Sequence, residues 1–258
     1  MNLEIQDKIV FITASTKGIG YATAKSFLAE GAKVIINGRN QERLIATHTH
    51  LSACYGQDNV FVVCGDMTKT CDIEQAKQQI ISRFGKVDIL IPNLGSGKPI
   101  SENRLDMEEW ARLIDINLYS AVKLIQIFLD ILMEQQRSSI VLLSSLAACE
   151  KISAPYAYAA AKNAILTLTK YMAIDYAEQG IRVNAVVPGN IIYPTGRWEE
   201  LLLADEVGTK SYIEQNVPMK RFGKPEEIAD MIVFLASERA SFMTGNTVVV
   251  DGGQKKGY

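Results

Sequence analysis

A chain of 258 residues that is 48% hydrophobic buries a full core and is compatible with one large α/β domain. Its net charge of −2 gives no case for a nucleic-acid or anionic-membrane partner, and no apolar stretch is expected to supply the roughly 20 residues of a bilayer span. The opening Met-Asn-Leu-Glu-Ile-Gln-Asp lacks a basic segment followed by an apolar one, so no secretory signal is expected and the cytoplasm is the expected compartment.

In chain order, strand patterns at 8–13, 33–37, 60–65, 87–91, 139–144, 182–187 and 247–250 alternate with helical patterns. The strands are β-branched and apolar almost throughout, as parallel strands covered on both faces are. The helices fall at about 19–30, 41–54, 71–84, 106–136, 155–179 and 225–236. The last opens Pro225-Glu226-Glu227, a proline in the first turn followed by acids that favour the positive helix end. Such alternation implies right-handed crossovers and a single doubly wound Rossmann-type α/β domain over 1–258. Residues 1–138 form its expected cofactor half and 139–258 its catalytic and substrate half.

The first strand runs into Thr13-Ala14-Ser15-Thr16-Lys17-Gly18-Ile19-Gly20 and then a helical pattern. Glycines there let backbone approach a pyrophosphate, and the unpaired N–H groups of a helix start attract anions. The second strand ends Ile36-Asn37-Gly38-Arg39, without the acid that would bind ribose hydroxyls and repel a 2′-phosphate. Arg39 and Lys17 are two cations suited to that phosphate, so NADP(H) is expected over NAD(H). Asp66, after the third strand and before Met67, either accepts a bond from the adenine amino group or caps the helix near Cys71.

Cys54, Cys64, Cys71 and Cys149 lack paired spacing, which suits buried thiols in a reducing compartment better than disulfides or a zinc site. His48 and His50 are the only histidines; no metal site is expected from them, and no G-x-S-x-G motif accompanies them. Tyr158-Ala-Ala-Ala-Lys162 follows Ser145 by thirteen residues. Tyrosine–lysine pairs at this spacing are not rare: Tyr21/Lys25 and Tyr119/Lys123 share it, and they read as ordinary exposed helical pairs. Context distinguishes Tyr158/Lys162, because a buried strand ending in Ser144-Ser145 precedes a helix rich in small residues.

These motifs resemble the short-chain dehydrogenases/reductases, including members like 3-oxoacyl-(acyl-carrier-protein) reductases. The likeness runs from Thr13–Gly20 through Asp66, Pro92-Asn93-Leu94-Gly95, Asn117, Ser145, Tyr158/Lys162 and Pro188-Gly189 to Asp251-Gly252-Gly253. It implies a seven-stranded parallel sheet with helices on both faces, and a homotetramer or dimer built on the two long helices and the last strand. It also implies that Tyr158 exchanges a proton with a carbonyl or alcohol oxygen. Lys162, one helical turn on, lowers the pKa of that phenol and holds the nicotinamide ribose. Ser145 donates to the substrate oxygen, and Asn117 anchors a water relay to Lys162. Thr13, Ser15, Lys17, Gly18, Ile19, Gly20, Arg39, Asp66, Met67, Asn93, Gly95, Tyr158, Lys162, Pro188, Gly189 and Ile191 form the implied cofactor set.

Departures from the family pattern are Ala14 for the first glycine of the turn, expected to be tolerated at negative φ, Pro92 and Leu94 after the fourth strand, and Tyr193 with Thr195 after Pro188-Gly189. The segment 190–222 is the least family-like and is expected to close over the substrate, with Tyr193, Arg197, Trp198 and Tyr212 as aromatic and basic groups. Lys98, Asn103 and Lys151 are expected from other loops at that edge. A 3-oxoacyl-thioester, with Arg137 as a docking cation, and a sugar, polyol or cyclic ketone are the substrate alternatives. A silent NADP(H)-binding sensor is the alternative outside enzymology.

Overall fold

The computed structural model describes residues 1–99, 103, 105–135 and 137–257. Seven strands form one parallel sheet: β1 (Ile9–Ile12), β2 (Lys33–Gly38), β3 (Val60–Cys64), β4 (Ile89–Ile91), β5 (Ser138–Leu143), β6 (Ile181–Pro188) and β7 (Thr247–Val250). Their order is β3-β2-β1-β4-β5-β6-β7. The chain reverses direction across the sheet between β1 and β4, and that reversal opens a crevice at the carboxyl ends of the strands.

Alternation within each strand explains the two covered faces. Phe11, Ile35, Leu90, Ile140 and Leu142 point to one core, packed by Ile73 and Ile80 of α3 (Thr70–Phe84), Leu124 and Phe128 of α5 (Ser120–Glu134) and Ile165 of α6 (Tyr156–Asp175). Val10, Ile12, Val34, Ile36 and Val141 point the other way. There they meet Phe27 of α1 (Gly18–Ala29), Leu44 and Leu51 of α2 (Gln41–Tyr55) and Ile228 and Ile232 of α9 (Pro225–Ala236). A side chain of this size, fully buried, contributes roughly 1.5–3 kcal/mol.

The expected helix at 106–136 is divided. Asp106 caps α4 (Met107–Ile114) by accepting the Glu108 and Glu109 N–H groups, a π turn occupies Asp115–Tyr119, and α5 completes the run. The expected end, Gln136, lies outside the described residues. Contrary to the expectation above, Met107–Glu134 is long and apolar enough to cross a membrane by length and composition. Here its apolar stripe, Ala121, Leu124, Ile125, Phe128 and Leu132, packs on the sheet. The expected strands match within a residue or two, whereas the expected loop over 190–222 contains α7 (Arg197–Ala204) and α8 (Glu206–Asn216). All four cysteines are exposed, which corrects the expectation of buried thiols: each stands at an element end or on a helix face turned from the core.

Candidate active site

A cavity of about 1210 Å³ opens at the carboxyl ends of the strands and reaches from Arg39 and Asp66 at one end to Tyr158, Trp198 and Tyr212 at the other. The β1–α1 turn forms its floor. Lys17 stands before α1 in extended backbone, no side chain caps the helix and no acid occupies its first turn, so its first N–H groups are open to an anion. Gly20 is required by packing, because a Cβ there would stand 2.5 Å from Asn93 Nδ2 and 2.7 Å from the Ala14 carbonyl. Beneath the turn, Ser15 Oγ donates to the Ile12 carbonyl and accepts from Asn37 N–H. Thr13 Oγ1 accepts from Asn93 and Leu94. Thr13 and Ser15 are therefore supports below the cavity wall. Ala14 corrects an expectation: its φ is +49°, in the left-handed region where a methyl group is disfavoured.

Asn37, which the sequence reading passed over, organises this end. Its Oδ1 accepts Ala14 N–H and its Nδ2 donates to the Val63 and Gly65 carbonyls. A polar residue buried near the end of an apolar strand was the available signal. Lys17 and Arg39 do not converge on each other's partners. Arg39 Nη1 reaches Asp66 Oδ2 at 3.3 Å, while Lys17 Nζ reaches the Thr195 carbonyl at 3.4 Å and its Oγ1 at 3.3 Å. Burial pushes the Asp66 carboxyl up, but the Thr68 N–H and hydroxyl together with Arg39 hold it below the ordinary carboxylate value. Ile19, Gly20, Met67, Asn93, Gly95, Pro188, Gly189 and Ile191 line the cavity; Gly18 does not, because the Tyr193 ring lies 2.8 Å from where its Cβ would be.

Deeper in, β5 delivers Ser144 and Ser145. Ser144 Oγ donates to the Lys162 carbonyl at 2.7 Å, tying strand to helix, and Ser145 caps a short 3-10 turn by accepting Ala147 N–H. On α6 the fully buried Ala161 and nearly buried Ala157 allow close packing, while Tyr158 and Lys162 share a face. Ser145 and Tyr158 line the same part of the cavity. Burial raises the Tyr158 pKa above that of an ordinary phenol, the nearby Ser145 hydroxyl lowers it in part, and Tyr193 adds to the rise. This direction opposes the expectation that Lys162 lowers it. Lys162 is 4% exposed, donates to the Leu143 carbonyl at 2.9 Å, and is brought down to about 8 by burial.

Asn117 is buried beside Lys162: both side chains come within 3.0 Å of where a Gly95 Cβ would stand. Its Oδ1 accepts Ser96 N–H and its Nδ2 donates to the Ser96 and Leu113 carbonyls. The asparagine thus fixes the β4–α4 loop against the π turn.

The lid over the site is α7 and α8 with their flanks. Trp198 stacks on Tyr212, ring centroids 5.4 Å apart, and tilts against Phe222. Arg197 Nη1 lies 4.0 Å from Glu200, and Lys98 Nζ meets the same carboxylate at 3.1 Å across the cavity mouth. Buried Glu109, unnoticed in the sequence, also lines the cavity and is gripped by Arg112. Asn103 lies at the rim and Lys151 is exposed beside the Ser145 loop. Arg137 precedes β5 and so stands at the opposite edge of the sheet from the cavity, which removes it as a docking cation.

Residues 13–255 match the protein family described as enoyl-(acyl carrier protein) reductase. A glucose 1-dehydrogenase of Gluconobacter oxydans is 32% identical over 95% of this chain and 91% of its own. A 3-oxoacyl-(acyl-carrier-protein) reductase of Thermotoga maritima is 32% identical over 97% and 99%. Among solved structures, the L-sorbose reductase of Gluconobacter frateurii, in complex with NADPH and L-sorbose, superposes over the whole of both chains with a TM-score of 0.92 at 30% identity.

Proposed function

The chain belongs to the short-chain dehydrogenase/reductase family, and from that premise we propose an NADP(H)-dependent oxidoreductase that interconverts a ketone and a secondary alcohol. One observation carries the reading: Ser145, Tyr158 and Lys162 line the same cavity as the uncapped N-terminus of α1. When bound there, the nicotinamide supplies a hydride.

The chain's own residues supply the rest. The N–H groups at the start of α1 take the pyrophosphate, with Lys17 beside them, and Arg39 at the Asp66 end of the cavity takes the 2′-phosphate. Ser145 Oγ donates to the substrate oxygen, where negative charge grows during reduction. Tyr158, with a pKa raised by burial, stays a phenol at neutral pH and gives its proton to that oxygen. Lys162 lies one helical turn beyond and holds positive charge below about pH 8. Asn117 holds the loop that carries Gly95 and Ser96 in place beneath the reacting groups. A hydroxyl pair addresses an oxygen rather than a carbon–carbon double bond, so carbonyl chemistry is favoured over enoyl reduction.

For the substrate we favour a small polyhydroxylated ketone or its alcohol over an acyl-carrier thioester. The cavity wall mixes Glu109, Asn190, Glu200 and Asp205 with the Trp198 face, hydrogen-bonding groups and an aromatic surface suited to a sugar-like carbon skeleton. The rim cations Lys98 and Arg197 are engaged by Glu200, which leaves little for an acidic carrier protein. The sorbose reductase and glucose dehydrogenase relatives support the same choice. We read residues 1–258 as one catalytic domain acting in the cytoplasm as a homotetramer or dimer.

NADPH oxidation across ketoses, cyclic ketones and an N-acetylcysteamine β-ketothioester tests the substrate class; faster turnover of the thioester overturns the sugar reading. Tyr158→Phe should lower turnover by about a hundredfold or more with NADPH binding retained. A variant that keeps most of its activity removes Tyr158 from the proton-transfer role.

A further inference from the structure

β7 does not end the fold; the residues after it turn back under the lid. Asp251 caps the reversal by accepting Gly253 N–H at 2.8 Å and Lys255 N–H at 2.6 Å. Gly252 and Gly253 both have positive φ, and a Cβ on Gly252 would stand 3.0 Å from Val217 at the end of α8. This geometry turns Gln254 inward, where it is 6% exposed.

The Gln254 amide joins two walls of the cavity. Its Oε1 accepts from Asn190 Nδ2 at 2.6 Å, and its Nε2 donates to the Tyr212 hydroxyl at 3.2 Å. Asn190 follows Pro188-Gly189 at the end of β6 and is itself 5% exposed. Tyr212 belongs to α8 and stacks on Trp198 of α7. Beyond Gln254, the Lys256 and Gly257 N–H groups bond to the Glu150 carboxylate at 2.9 and 3.1 Å, on the loop that follows Ser145. The terminal segment therefore ties the end of the sheet to the Trp198–Tyr212 pair and to the serine loop.

We propose that Gln254 is a positioning residue that sets how closely α7 and α8 sit over the substrate, and so governs affinity for the carbonyl compound rather than the chemical step. A residue that acts this way is remote from the reacting atoms, and its loss raises KM while kcat and cofactor affinity persist. The inference rests on the oxidoreductase reading above only for its kinetic readout; the placement of the lid is measurable without turnover.

The test uses Gln254→Met, which keeps the length and removes both hydrogen bonds, and Tyr212→Phe, which removes only the lid-side partner. Both are made in wild type and in a Trp110→Phe background, where Trp198 is the remaining tryptophan of the two in the chain. In Gln254→Met, KM for the best ketone should rise about tenfold, the effect of roughly one net hydrogen bond, with kcat and NADPH affinity little changed. Acrylamide quenching of Trp198 should increase in parallel. Tyr212→Phe should shift both readouts the same way, and the double variant should be no worse than Gln254→Met alone. Unchanged KM and unchanged quenching in Gln254→Met overturn the inference, as does a parallel fall of kcat, NADPH affinity and substrate affinity. If Gln254→Met does not fold, Tyr212→Phe decides by the same two readouts. If no ketone is reduced by the wild type, the oxidoreductase reading fails while Trp198 quenching still decides the role of Gln254.

Discussion

Lys162 and Tyr158 are displaced by the same cause in opposite chemical senses: burial disfavours the charged form of each, lowering the lysine to about 8 and raising the phenol. The reductive kcat/KM profile, which reports groups of the free enzyme, should therefore be level in the neutral range and fall as pH rises through about 8. A level profile to about pH 10, near the ordinary phenol and lysine values, would contradict this. The sign for stability is the reverse. Between about pH 8 and the ordinary lysine value of 10.5, the unfolded chain holds a proton the folded one has released, so this group makes stability increase with pH. Arg39→Asp should move cofactor preference toward NAD(H) in steady-state kinetics, because a second carboxylate beside Asp66 repels a 2′-phosphate. That Ser145, Tyr158 and Lys162 come together in one cavity was legible from spacing and context. The two other tyrosine–lysine pairs depart from the expected exposed pairs: Tyr21, with Lys25 Nζ 5.9 Å from its ring centre, packs partly buried against the core, and Lys123 bonds Asp115 and the Thr68 carbonyl. Gln254 was illegible because its partners Asn190 and Tyr212 are brought to it only by the fold, whereas Glu109 pairs with Arg112 one turn on in α4, a local spacing the sequence did offer.

Among the elements, the seven strands could be read in advance because both faces of a parallel sheet demand unbroken apolar runs. The π turn at Asp115–Tyr119 could not, since one extra residue in a helical turn leaves no compositional trace. The lid helices were missed because their faces pack mainly on each other, as with Trp198 and Tyr212, which weakens the periodic signal. One cue was present: Asp205 accepts Gly208 N–H and caps α8. The β1–α1 turn carries an identifiable strain at Ala14. A left-handed alanine costs roughly 1–2 kcal/mol, partly offset by the roughly 0.5–1 kcal/mol of extra chain entropy a glycine loses. Ala14→Gly should thus raise unfolding free energy by up to about 1 kcal/mol in denaturant titration; a loss of stability would show that the methyl contact outweighs the strain.

Across the whole molecule, β7 is an edge strand paired only with β6, and Phe242 beside it is fully exposed. On α6, Tyr171 and Ile174 are 64% and 63% exposed. Edge strands and apolar patches of this kind are normally covered. Light scattering should find a dimer or tetramer, and Phe242→Asp should shift the mass downward; a monomeric wild type would refute the expectation. Within the chain the Tyr193 ring lies against Gly18, and Lys17 bonds Thr195, so the floor and roof of the cleft touch beside the start of α1. A dinucleotide bound there has to part those surfaces before a carbonyl compound meets a finished pocket. Nucleotide should therefore enter first and leave last, and product-inhibition patterns of a random mechanism would contradict this.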